Sequence, residues 1–162
     1  MIQIFKYSEE HKESIIDLIL DIQQNEFNIP ITLADQPDLL TIPSFYCQNN
    51  GNFWVALDDQ KVVGTIALID IGDHMGAIRK MFVHQDYRGK ELGIASLLLN
   101  ALLTYAQKHK MTAIYLGTLP RLQAAMRFYE KNGFVQLPKS TLPPQFPAMV
   151  LDTVFYEYKI AA

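Results

Sequence analysis

A single cysteine, Cys47, stands in the 162 residues, so no disulfide can form within the chain. A domain of this length must be held by its core, and a reducing, cytoplasmic setting is the expectation. No apolar run approaches the roughly 18 residues that span a bilayer. The opening Met1-Ile2-Gln3-Ile4-Phe5-Lys6 also lacks the apolar stretch of a signal peptide. No membrane association is expected. Basic residues are not in excess: 14 Lys and Arg face 17 Asp and Glu, a net charge of −3. That argues against a nucleic-acid partner, whose binding rests on a basic face. The four histidines, His11, His74, His84 and His109, pair neither with one another nor with Cys47 at a ligand spacing. No calcium-loop pattern of carboxylates occurs, and no metal is expected.

What is present alternates between strand and helix patterns. Ile2 and Ile4 mark a first strand. Ser8 is placed to cap a helix running to about Gln24, with Ile15, Ile16, Ile19, Leu20 and Ile22 at helical spacing. Pro30, Pro37 and Pro43 then break the pattern, leaving room for a short helix near 35–40. Three strands follow at 53–57, 62–70 and 77–83, joined by turns and so antiparallel. Residues 93–109 form the clearest helix, with Ile94, Leu97, Leu98, Ala101, Leu102 and Tyr105 on one stripe and Leu99 and Leu103 widening it. A strand at 113–116 comes after this strand–helix unit and is expected to lie parallel to 77–83. Pro120 opens a helix over 121–132 that Gly133 ends. Short strands at 134–137 and 154–159 flank a loop carrying four prolines. The order implies one α/β domain over residues 1–162, with a mixed, mostly antiparallel sheet.

Two segments carry chemistry. The first is Met81-Phe82-Val83 followed by the turn Arg88-Gly89-Lys90-Glu91-Leu92-Gly93 and the helix start Ile94-Ala95. A strand–turn–helix junction offers free backbone N–H groups and the positive end of a helix dipole to one point, which suits a phosphate. Gly89 and Gly93 allow close backbone approach, and Arg88 and Lys90 add charge. A plain surface turn with solvated basic residues fits the same letters. The second segment is Phe128-Tyr129-Glu130-Lys131-Asn132-Gly133-Phe134. Leu122, Ala125, Met126 and Tyr129 share a helix face, so Tyr129 points inward. It is either a core tyrosine or a phenol that gives up a proton.

Together the two segments resemble the GNAT N-acetyltransferase superfamily, over about residues 77–136. The resemblance implies a sheet with a central splayed parallel strand pair and helices on both faces. It implies acetyl-CoA as co-substrate, with its pantetheine arm along Met81, Phe82 and Val83 and its pyrophosphate on Arg88, Gly89, Lys90, Glu91, Leu92, Gly93, Ile94 and Ala95. It places Tyr129 as the acid that protonates the departing thiolate. An amine, on a small molecule or a peptide, attacks the thioester directly, and Cys47 is left as a buried small residue. Members are often homodimers.

This chain departs from the family pattern in three places. The turn motif has Gln or Arg, two residues, then glycine, and here that glycine is Glu91. Leu122 stands where many members carry asparagine, and Ala77 where some carry a glutamate base. Candidate proton acceptors are therefore Asp70, Asp73, His74, Glu26 or a chain of waters. Arg79, central in its strand, is placed either to pair with a substrate carboxylate or to form a surface salt bridge. The acceptor site is expected between the 25–45 segment and the 138–147 loop. A CoA-sensing module without catalysis is the alternative that the missing base and Glu91 raise.

Overall fold

A computed structural model of the protein describes residues 1–89 and 91–161. Seven strands form one sheet: β1 (Ile2–Lys6), β2 (Asn52–Asp58), β3 (Lys61–Gly72), β4 (Met75–Val83), β5 (Ala113–Thr118), β6 (Val135–Leu137) and β7 (Val154–Lys159). Their order across the sheet is β1-β2-β3-β4-β5-β7-β6. All pairs are antiparallel except β4 and β5. The helices are α1 (Lys12–Leu20), α2 (Ile42–Tyr46), α3 (Ile94–Lys108) and α4 (Gln123–Lys131).

Strand β2 shows why helices must cover both faces. Phe53, Val55 and Leu57 point to one side, and Trp54 and Ala56 to the other, as the two-residue period of a strand requires. The first three pack with Ile15 and Ile19 of α1 and Tyr46 of α2. The other two pack with Leu98, Leu99 and Leu102 of α3. Both faces are thus dry, and the strand reads as an unbroken apolar run.

Local expectations need adjustment at four points. The first helix begins as a 3₁₀ turn over Glu9–His11, and Ser8 does not cap it: its hydroxyl donates to Glu10 instead. Past Leu20 the helix widens into a π-helical stretch, Asp21–Glu26. The proline-broken segment holds a 3₁₀ turn, Pro37–Leu40, and also α2, whose first turn accepts Pro43 because no intrahelical N–H is needed there. On α3, Leu97 is 42% exposed although it shares the expected stripe, because Ile94, Leu98, Leu99, Leu102 and Ala106 face the sheet.

Candidate functional site

The parallel strands β4 and β5 pair over three residues only: Met75 with Ala113, Gly76 with Ile114 and Ala77 with Tyr115. Beyond Ala77 they part. β4 keeps β3 on its other side, with Thr65 opposite Phe82 and Gly64 opposite Val83. β5 keeps β7, through Gly117 opposite Phe155. The wedge between them opens into a cavity of about 480 Å³. Its walls include Ile78–Phe82 of β4, Leu116–Thr118 of β5, Leu122, Ala125 and Tyr129 on the α4 side, and Ile29, Pro30 and Ile31. Phe146 and Met149–Asp152 close it. The cavity is bordered by the first proline-broken segment, through Ile29, Pro30, Ile31 and Asp35, and by Phe146 of the late proline loop.

A bulge shapes the β4 wall. The register with β3 slips between Thr65 and Ala67, and Lys80 adopts φ +54, a left-handed conformation that costs a non-glycine residue about 1–2 kcal/mol. Two sets of contacts hold it. The buried Thr65 hydroxyl donates to the Lys80 carbonyl at 2.7 Å. The Lys80 ammonium is buried beside Asp38 at 3.5 Å and donates to Gln36. Gln36 is in turn bonded to Gln23, and the Tyr46 hydroxyl donates to Asp38. Burial pulls the Lys80 pKa down, and the Asp38 charge resists it.

Tyr129 is 5% exposed and lines the cavity. Its ring packs on Phe128, Phe134 and Tyr156. Burial first, then the nearby Asp152 charge, push its hydroxyl pKa well above the ordinary phenol value. The group is fully protonated at neutral pH. Met81 and Phe82 also line the cavity.

The turn after β4 is less open than the sequence implies. Residues Gln85–Tyr87 form a 3₁₀ turn, and the Arg88 guanidinium is clamped by Glu26: Nη2 donates to Oε1 at 2.7 Å, and Nη1 donates to Oε2. Its Nε donates to the Val83 carbonyl at 2.9 Å. Gly89 and Gly93 have φ +122 and +61, where a side chain would be strained. Gly93 is the N-terminal cap of α3, so Ile94 and Ala95 begin the helix with N–H groups that need an outside acceptor. Glu91 and Leu92 are exposed. Lys90 lies outside the described residues.

None of the expected proton acceptors lies in the cavity wall. Asp70 accepts from the backbone N–H groups of Asn50 and Gly72, and Asp73 accepts from Gln145. His74 sits in the β3–β4 turn, at the opposite end of β4, and Glu26 is taken by Arg88. Arg79 does line the cavity, but its Nη2 donates to the Pro147 carbonyl at 2.6 Å, tying the late loop to β4. Cys47 is exposed rather than buried: it follows the C-terminal end of α2, where its Sγ lies 3.6 Å from Asn52 Oδ1. Two carboxylates that were not among the expected acceptors do line the cavity, Asp35 and Asp152, and no sequence pattern marks either. Among the described residues no His, Cys, Asp and Glu cluster could hold a metal, and no helix is long and apolar enough to cross a membrane.

The family model described as the acetyltransferase (GNAT) family matches residues 16–134. The chain belongs to this family. It is 32% identical to an N-acetylaspartate synthetase of Xenopus tropicalis over 130 residues, which are 78% of this chain and 47% of that protein. The chain thus spans about half the length of this relative. A GNAT acetyltransferase from Staphylococcus aureus Mu50 superposes with a TM-score of 0.94 at 40% identity, covering 98% of this chain and 99% of that one. A PaiA N-acetyltransferase from Thermoplasma acidophilum, solved in complex with coenzyme A, has a TM-score of 0.76 at 18% identity over 99% of both chains. At that identity the likeness is one of fold.

Proposed function

We propose that this GNAT protein transfers the acetyl group of acetyl-CoA to a primary amine. The observation that carries the reading is the parting of β4 and β5 after Ala77 and Tyr115, with Tyr129 on the wall of the cavity so opened. Parted strands leave one edge of β4 without a ladder partner. A ligand amide can hydrogen-bond there as an added strand would. Met81, Phe82 and Val83 would hold the pantetheine arm. Arg88, Gly89, Glu91, Leu92, Gly93, Ile94 and Ala95 would frame the pyrophosphate at the start of α3, together with Lys90. The coenzyme A complex of the Thermoplasma neighbour supports the same co-substrate.

Acetyl-CoA supplies an activated acyl carbon, so the chain needs no nucleophile of its own. Its residues would hold the thioester in line with the amine and handle protons. The N–H groups of β4 would stabilise the carbonyl oxygen as it gains charge. Tyr129, kept protonated by burial, would give its proton to the leaving sulfur. The acceptor is a small-molecule or peptide amine, and the names of the curated relatives make aspartate a member of any panel to be tried. One catalytic domain over residues 1–162, a cytoplasmic location and a homodimer complete this reading.

Calorimetric titration with CoA, alongside thiol release over a panel of L-aspartate, L-alanine, spermidine and a tripeptide with a free amino terminus, tests it. CoA binding with thiol release on one of the amines is expected. CoA binding without release on any of them would mark a CoA-sensing module instead.

A further inference from the structure

Gly117 lies inside β5, a largely buried strand. A glycine there weakens a strand unless something needs the space. What needs it is Asp152. A methyl group on residue 117 would stand 2.6 Å from Asp152 Oδ2 and 3.0 Å from its Cβ and Cγ. Thr153 joins Asp152 to the start of β7, and its N–H donates to the Thr118 carbonyl at 3.1 Å. Asp152 therefore comes off the β5–β7 ladder and lays its carboxyl across β5, into the wedge where β5 has left β4. Its N–H bonds to the Met149 carbonyl, and its carboxyl accepts from the Met149 N–H, which closes the short turn that aims it.

The charged surroundings single this carboxyl out. Arg79 and Lys80 face it from β4, and Tyr129 faces it from α4. Lys80 is bound by Asp38 and Gln36, and Arg79 by the Pro147 carbonyl. Asp35, the other carboxylate of the cavity, spends one oxygen on the N–H and hydroxyl of Thr32, both at 3.0 Å. Among the described residues Asp152 forms no direct ion pair, and it shares the cavity with Tyr129.

We propose that Asp152 is the general base of this chain, seated by Gly117, and the anchor for a cationic primary amine in the acceptor site. The proposal rests on the acetyl-transfer reading given above. The acceptor enters as an ammonium. It gives one proton to the Asp152 carboxylate, and the freed lone pair forms the nitrogen–carbon bond to the thioester carbonyl. Collapse breaks the carbon–sulfur bond, and the sulfur leaves with its electron pair. Tyr129 gives its proton to that sulfur, and the surplus proton on nitrogen restores the phenol. The amide and the free thiol depart, and Asp152 releases one proton to water, so the balance is one proton produced per turnover.

The test is Asp152→Asn, with the best acceptor of the four-amine panel. Wild-type kcat/KM should fall on the acid side as Asp152 becomes protonated. In the variant that acid limb should be lost, and kcat should drop about 10²-fold or more. CoA affinity by calorimetry should stay within about twofold, whereas the acceptor should bind the CoA-loaded variant at least about fivefold more weakly, the ammonium having lost a charged partner. Gly117→Ala should reproduce the kcat loss, since it displaces the carboxyl. A variant that keeps the wild-type kcat and acid limb overturns the assignment. So does one that loses CoA binding, for the carboxyl would then be structural. Wild-type protein that binds CoA but acetylates none of the four amines would overturn the acetyl-transfer reading, and the base with it.

Discussion

Lys80 Nζ stands 3.5 Å from Asp38 Oδ2, with the two side chains 3% and 9% exposed. The pair lies beneath the bulge of β4, and it fixes a strained residue at the edge of the cavity. Removing the ammonium leaves Asp38 as a buried charge that, among the described residues, keeps the Tyr46 hydroxyl as a hydrogen-bond donor. Lys80→Met is therefore expected to destabilise the fold by about 3–5 kcal/mol, the range for breaking a buried pair. Urea unfolding measures it. The double variant Lys80→Met/Asp38→Leu should regain part of the loss, because no lone charge is left.

Tyr129 bears on turnover rather than on cofactor affinity. Tyr129→Phe keeps the ring that packs on Phe134 and Tyr156 and deletes only the hydroxyl. The expected result is a fall in kcat of about 10²-fold, with acetyl-CoA affinity unchanged. Single-turnover rates beside calorimetric titration separate the two. Wild-type turnover in this variant would remove the acid role.

The Arg88–Glu26 clamp sets the charge of the proposed pyrophosphate turn. Both side chains are partly exposed, at 36% and 22%, so the pair itself contributes little to stability. Its effect should show in binding. Glu26→Gln should tighten CoA binding up to about fivefold at low salt by freeing the guanidinium, and Arg88→Ala should weaken it. Titrations at two ionic strengths check both, since the gain should shrink as salt rises. An unchanged affinity in both variants would place the pyrophosphate away from Arg88.

Asp152 should make stability depend on pH. Burial raises its pKa in the folded state, and Arg79, the Met149 N–H and Lys80 only partly oppose this. A group raised in this way stabilises the fold fully below its unfolded pKa, and that contribution is lost as pH rises through the folded value. Asp152→Asn should therefore melt higher than wild type near pH 7. The difference should vanish below about pH 4, where the carboxyl is protonated in both folded and unfolded chains. Thermal melts across this range decide it. A variant that melts lower at pH 7 would mean that the carboxylate is held by stronger contacts than its surroundings indicate.

Much of the architecture is written locally. The stripe from Ile94 to Ala106 makes α3 wherever it lies, since its spacing matches the helical period. Gly93 and Gly133 mark helix ends because their positive φ is cheap only without a Cβ. The β2–β3–β4 meander follows from short turns between apolar runs, and Tyr129 had to face inward with Leu122 and Ala125. These features depend on neighbours within a few residues.

The site was legible only in part, because its decisive contacts join distant stretches of chain. Arg88 meets Glu26 across 62 residues, and Lys80 meets Gln36 across 44. No local pattern encodes such a meeting. Asp152 is one acidic residue ahead of a strand, and Gly117 is one glycine within another. Each letter is ordinary until the β5–β7 register lays one over the other. The sequence by itself determined which segments are strands and helices, where they turn, and that Tyr129 lies inside. The tertiary structure decided that β4 and β5 part after three pairs, and which carboxylate reaches the gap. Secondary structure follows the period and chemistry of adjacent residues, whereas the gap exists only where two strands, each held by a different neighbour, stop pairing with each other.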